Sequence, residues 1–87
     1  MLLYVDDDAS YLGWLAGHPD GFVLNTTRKP SASYLMLHRS TCWTINRLQP
    51  QATAFTGEYS KLCGSRAELE SEARRLGRSA DCCGHCL

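Results

Sequence analysis

Four of the last seven residues, Cys82, Cys83, His85 and Cys86, carry side chains that bind soft metals. Cys83 and Cys86 stand in a Cys-x-x-Cys pair, the spacing that lets two thiolates reach one tetrahedral Zn²⁺. Gly84, between them, suits the tight turn such a bite requires. A closed structural site needs four ligands. The second pair is found in Leu37-His38-Arg39-Ser40-Thr41-Cys42, where three residues separate His38 from Cys42. A chain segment of that length folds back as a turn and presents both side chains to one ion. One histidine and three cysteines make a standard structural zinc set, so the expected site is His38/Cys42/Cys83/Cys86, with zinc as the cofactor.

Three further residues compete for the same role. Cys63 lies at a strand end just before the helix cap, a position that suits a buried core thiol. Cys82 can replace Cys83, although Cys82-x3-Cys86 is the less common bite. His85 lies between the two thiolates and is expected to point outward. Without a metal, Cys42–Cys83 or Cys42–Cys86 disulfides are the alternative.

The elements that would position these ligands read as follows. Asp6, Asp7 and Asp8 place negative charge and a cap at the start of a helix over 6–18. Tyr11, Leu12, Leu15 and Ala16 share one of its faces, and Trp14 widens that face. His18-Pro19-Asp20-Gly21 ends it. Residues 21–25 read as a strand, 26–33 as a polar loop, and 34–38 as a second strand closing an antiparallel hairpin. Cys42-Trp43-Thr44-Ile45 reads as a third short strand, residues 46–57 as a loop, and 58–63 as another strand. In that last strand Tyr59 and Lys61 share one face and Leu62 takes the other. Ser65-Arg66-Ala67-Glu68 is a capping box. The helix it opens carries Leu69, Ala73 and Leu76 as a core stripe and stops at Gly77. The expected architecture is α+β: a small antiparallel sheet with an N-terminal and a C-terminal helix, stapled by one zinc site, in a single domain over 1–87.

The chain's 87 residues allow only a modest core, so a metal or disulfide staple is expected. Five cysteines, an odd number, argue against a fully paired disulfide framework. Met1-Leu2-Leu3-Tyr4-Val5 has no basic flank, runs into three aspartates and is too short for a signal peptide or a membrane span. A reducing cytoplasmic location, where clustered Cys and His favour zinc, is the expectation; no membrane partner is expected.

Net charge is zero but unevenly spread. Residues 1–20 hold four acidic and no Lys or Arg side chains, whereas residues 21–63 hold five basic side chains against Glu58. That local basic excess is compatible with an anionic partner or with a solvated loop and hairpin.

From His38-Arg39-Ser40-Thr41-Cys42 through the capped helix with Glu68-Leu69, Ala73 and Gly77 to Cys83-Gly84-His85-Cys86, the chain resembles the Ada-type zinc-binding fold. That family is a small α/β module with a Cys/His-x3-Cys pair and a later Cys-x2-Cys pair, and the resemblance covers about residues 34–87. The whole chain also resembles actinobacterial, hence bacterial, domains with a Leu-His-Arg-x-x-Cys step and a terminal Cys-x-x-Cys. In the methylphosphotriester-repair members of the Ada type, the first cysteine of the x3 pair accepts a methyl group from DNA. His38 occupies that position here, and a zinc-bound imidazole is no comparable nucleophile. The resemblance therefore implies a zinc module without methyl transfer, able to contact nucleic acid.

Two functional expectations result. In one, the domain contacts nucleic acid as an accessory to a DNA-processing or regulatory system. Arg28, Lys29, Arg39 and Lys61 would meet phosphates, and Tyr34, Trp43 and Tyr59 would stack on bases. In the other, it is a protein–protein interaction module or small regulatory protein, which suits the acidic start and the zero net charge. No carboxylate pair, Ser/His/Asp set or open metal site is evident, so neither enzymatic activity nor a small-molecule substrate is expected.

Overall fold

Period-two alternation in three strands gives the domain two different faces. A computed structural model describes all residues 1–87. In chain order the elements are β1 (Leu2–Tyr4), α1 (Asp8–Gly17), β2 (Phe22–Thr27), β3 (Leu35–Arg39), α2 (Trp43–Asn46), β4 (Tyr59–Gly64), α3 (Arg66–Leu76) and β5 (Asp81–Cys82). The five strands form one sheet in the order β1-β4-β2-β3-β5. Neighbours are antiparallel except β3 and β5, which run parallel.

In β2, Phe22 and Leu24 point to one side and Val23 to the other. The register continues this across the sheet, pairing Leu24 with Leu37 and Leu62, and Val23 with His38 and Cys63. On the first side Leu24, Leu35, Leu37, Leu62, Leu69 and Ala73 form a buried cluster, so α3 packs there through its leucine stripe. On the second side Tyr11, Val23, Cys42, Ile45, Cys63 and Cys83 are buried together. The sheet is thus the middle layer of three, a solution both faces of an apolar sheet require.

Helix ends are fixed by the expected chemistry. Ser65 Oγ accepts the Glu68 N–H at 3.2 Å, and Glu68 Oε1 accepts the Ser65 N–H at 2.9 Å. Gly77 closes α3 with φ 140°, in the region that favours glycine. For α1 the cap is Asp7, whose carboxylate accepts the Ser10 N–H at 3.2 Å. Asp8 instead ties the far loop to the helix, accepting the Phe55 N–H, the Thr56 N–H and the Thr56 hydroxyl at 3.0, 2.9 and 2.7 Å. Burial would raise the Asp8 pKa, but these three donors, with Lys61 nearby, leave it lowered.

The sheet corrects three expectations. It is mixed rather than purely antiparallel, because β5 adds alongside β3 in parallel. Residues 42–45 do not form a strand. Trp43–Asn46 is a short helix whose first turn closes on the Cys42 carbonyl, from Ile45 at 3.2 Å and Asn46 at 3.1 Å. The β-branched and aromatic side chains suggested extension; the reversal after β3 imposes the turn. Leu2–Tyr4, considered only as a possible leader, is an edge strand paired with β4.

Candidate metal centre

His38 and Cys83 reach the same space because β3 and β5 are neighbours. His38 projects from β3 to the α1 side of the sheet, next to Val23. After it, Ser40 is anchored at both ends: its N–H donates to Gly21 O at 3.0 Å and its hydroxyl to His18 O at 2.6 Å. The Cys42 N–H then bonds Arg39 O at 3.0 Å, turning the chain so that Cys42 enters the buried cluster. At the other end Cys82 pairs with Leu37, and the Cys83 N–H extends the ladder to Leu37 O at 3.0 Å. Alternation along β5 sends Cys83 inward on the α1 side, 4% exposed, and leaves Cys82 exposed beside Leu37 and Arg74 on the α3 side. A final turn, with Leu87 N–H on Cys83 O at 3.0 Å, brings Cys86 back.

The result is one cluster. One ligand atom from each of His38, Cys42, Cys83 and Cys86 lies within 4.8 Å of all the others, an arrangement that can hold a metal ion. Cys42 Sγ and Cys83 Sγ are 3.9 Å apart. Backbone N–H groups support two sulfurs, Arg39 N–H to Cys86 Sγ at 3.3 Å and His85 N–H to Cys83 Sγ at 3.4 Å. Cys86 is further held by its carbonyl, which accepts from Arg39 Nε at 2.9 Å.

His38 Nε2 is buried and has no hydrogen-bond partner, the only such side-chain nitrogen or oxygen in the protein. A buried nitrogen of this kind is costly unless something accepts or supplies a bond. A metal ion bound through Nε2 would supply that partner. Burial, with lesser contributions from Lys61 and His85, lowers the His38 pKa to about 4, so the ring is the neutral form that binds metal. Burial raises the Cys83 pKa, but the His85 N–H and contacts with Cys42, Cys86 and Thr44 leave it lowered overall. Cys86 is pushed up to about 12, first by burial, although the Arg39 N–H acts against that shift.

No family model, no curated protein and no solved structure matches the chain. Chemistry at the site therefore rests on its own geometry.

The competing ligands lie elsewhere. Cys63 is fully buried in the Tyr11–Val23 cluster, and burial pushes its thiol up to about 12. His85 is exposed, with its ring edge-on to Trp43 at 5.1 Å. His18 caps α1, its Nδ1 2.8 Å from Trp14 O and its ring stacked on Trp14. Gly84 proves unnecessary for its turn: its φ is outside the left-handed region, and a Cβ there would meet nothing within 4 Å.

Thr44 is the residue that sequence reasoning missed. Its Oγ1 lies 3.2 Å from His38 Nδ1 and 2.9 Å from Cys42 Sγ. Accepting the Nδ1 proton would leave the Nε2 lone pair free for metal, and the hydroxyl proton would then point at the Cys42 sulfur. Such outer partners set the tautomer and orientation of a ligand histidine. Nothing in the sequence distinguishes Thr44 from other threonines, because its role depends on the turn at Cys42. Thr44→Val is expected to keep the fold and weaken metal affinity by about 10–100-fold, measured by competition with a chromophoric chelator. Unchanged affinity would show that the hydroxyl does not tune the site.

The four basic candidate nucleic-acid residues do not converge on one surface. Lys61, expected to be exposed, is 5% exposed, its Nζ donating to Asn25 Oδ1 at 2.8 Å and Phe55 O at 2.7 Å. Alternation placed it correctly with Tyr59; the face they share is covered at Lys61 by the loop before β4. Arg28 is paired with Asp6 and donates to Gly57 O. Arg39 lies on the α3 side, over the Phe22 ring, whereas Lys29 is exposed in the β2–β3 hairpin. Tyr34 packs against Tyr59 with ring centroids 5.3 Å apart, and Trp43 is half exposed beside the ligand loops.

Proposed function

We propose that the protein is a non-catalytic, zinc-stabilised interaction module that binds a protein partner. Two observations carry the zinc reading: His38 clusters with three cysteines, and its buried Nε2 has no hydrogen-bond partner. Mixed nitrogen and thiolate donors select zinc over harder cations. Zn–S bonds of about 2.3 Å separate the sulfurs of a tetrahedral ion by about 3.8 Å, and Cys42 and Cys83 stand at 3.9 Å. Four protein ligands fill a tetrahedral ion, so no position is left for a substrate or an activated water. This supports a structural rather than a catalytic role. The Ada-type resemblance contributes the ligand spacing alone, since a histidine replaces the methyl-accepting cysteine.

Protein rather than nucleic acid is favoured as partner because the basic side chains are separated or consumed. Arg28 is neutralised by Asp6, Lys61 is buried, and Arg39 and Lys29 lie at opposite ends of β3 and its hairpin. With zero net charge, no basic stripe remains to track a phosphate backbone. A gel-retardation titration with mixed single- and double-stranded DNA and RNA at low salt tests this choice. No retardation is expected. Retardation that is abolished by Lys29→Glu or Arg39→Glu would replace the protein partner with nucleic acid.

A further inference from the structure

The loop from α2 to β4 borders an open pocket of about 300 Å³ on the α1 side of the sheet; none of the four metal ligands lines it, but Thr44, which touches His38 and Cys42, does. Its lining includes Asn25 and Lys61, which lie opposite each other in the β2–β4 register. Ile45, Leu48 and Phe55 provide apolar wall, and Gln49 provides an amide.

Lys61 is the unusual group. It is 5% exposed and belongs to none of the protein's ion pairs. An ammonium has three N–H donors. Two are used, on Asn25 Oδ1 and Phe55 O. Asp8, the acid that acts most on Lys61, already accepts three hydrogen bonds from Phe55 and Thr56. A buried cation without a paired anion is expensive, and a neutral donor would hold the Phe55 carbonyl at lower cost. Asp8 acts on Lys61 through space without a direct ion pair, and the third N–H has no partner within the fold.

We propose that this cavity binds a small organic carboxylate, anchored by the Lys61 ammonium. One carboxylate oxygen would accept the third N–H; the Gln49 amide nitrogen already faces the Trp43, Thr44 and Arg47 carbonyls at 3.4–3.5 Å, so the lysine is the anchor. The apolar wall would take the organic part. A volume near 300 Å³ admits a ligand of about ten non-hydrogen atoms. One unpaired ammonium suits a carboxylate monoanion; a phosphate dianion requires more donors than these residues offer.

Burial lowers the Lys61 pKa to about 8, against the opposing influence of Asp8 and Cys63. Anion binding needs the protonated amine, so affinity should fall as pH rises through about 8. Asp8 from α1 is held below the usual carboxylate range, His38 on β3 is near 4, and Cys63 on β4 is near 12, so none of them changes state there. Arg47, Glu58 and Tyr59 are the other titratable or charged groups around the cavity. Loss of the pH dependence in Lys61→Met assigns it to the lysine.

The test is a ¹H–¹⁵N chemical-shift titration of the metal-loaded protein with butyrate and benzoate, against butyramide and benzamide. Saturable shifts centred on Thr44, Gln49, Phe55 and Lys61, from the acids only, are expected with Kd on the order of 1 mM. Lys61→Met should weaken binding at least about tenfold. Wild-type protein showing no saturable shift up to about 20 mM acid, equal binding of the amides, or shifts confined to the Arg28–Lys29 hairpin would each overturn the proposal. Those wild-type arms decide it even where Lys61→Met fails to fold.

Discussion

Replacing Cys83 by serine is expected to unfold the chain at neutral pH. The residue belongs both to the buried cluster around Tyr11 and to the metal group, so one substitution removes a metal ligand and a buried packing contact. Structural zinc contributes apparent free energies of about 10–16 kcal/mol in small folds, comparable with the whole net stability of about 5–15 kcal/mol of an ordinary domain. Without it, the α1 side of the sheet would keep a buried imidazole nitrogen with no partner and unliganded thiols where it needs cohesion. Near-UV circular dichroism should be lost in Cys83→Ser, and wild-type protein should lose the same signal on adding a strong chelator. Cys82→Ser provides the internal control, because Cys82 is exposed on the other side of the sheet. A Cys83→Ser variant that keeps its tertiary signal would mean that the core stands without the metal.

Leu69→Ala should produce the second-largest effect and a different one. Leu69, on the inner face of α3, is fully buried in the cluster with Leu24, Leu37 and Leu62. Truncating such a leucine costs about 2–5 kcal/mol, through lost burial and the cavity left behind. Because the sheet separates this cluster from the ligands, metal content should remain at one ion per chain while the denaturation midpoint falls. A loss of unfolding free energy below about 1 kcal/mol, or loss of the metal together with the leucine, would show that the two faces do not act as separate supports.

Local chemistry was legible in the sequence where one short segment decides it. The Ser65–Glu68 capping box, the Gly77 stop and the antiparallel β2–β3 hairpin need only neighbours, and each has its expected geometry. The x3 and x2 spacings are of the same kind, and their four side chains meet. Features that depend on distant partners were hidden. Two residues of β5 carry no strand signature; they pair because the chain after α3 returns beside β3. Trp43–Asn46 has strand-like composition but lies inside a reversal. Lys61 illustrates the general limit: period two told which residues share its face, whereas burial was decided by a loop anchored on Asp8, more than fifty residues earlier. Thr44 likewise acquires meaning only when His38 and Cys42 are brought together.

Metal analysis of protein purified without chelator tests the central claim most directly. Inductively coupled plasma mass spectrometry should find one zinc per chain in the wild type and in Cys63→Ser, whose thiol lies outside the ligand group. Wild-type protein that folds with no bound metal, or Cys63→Ser protein that loses zinc while His38→Ala retains it, would contradict the His38/Cys42/Cys83/Cys86 site.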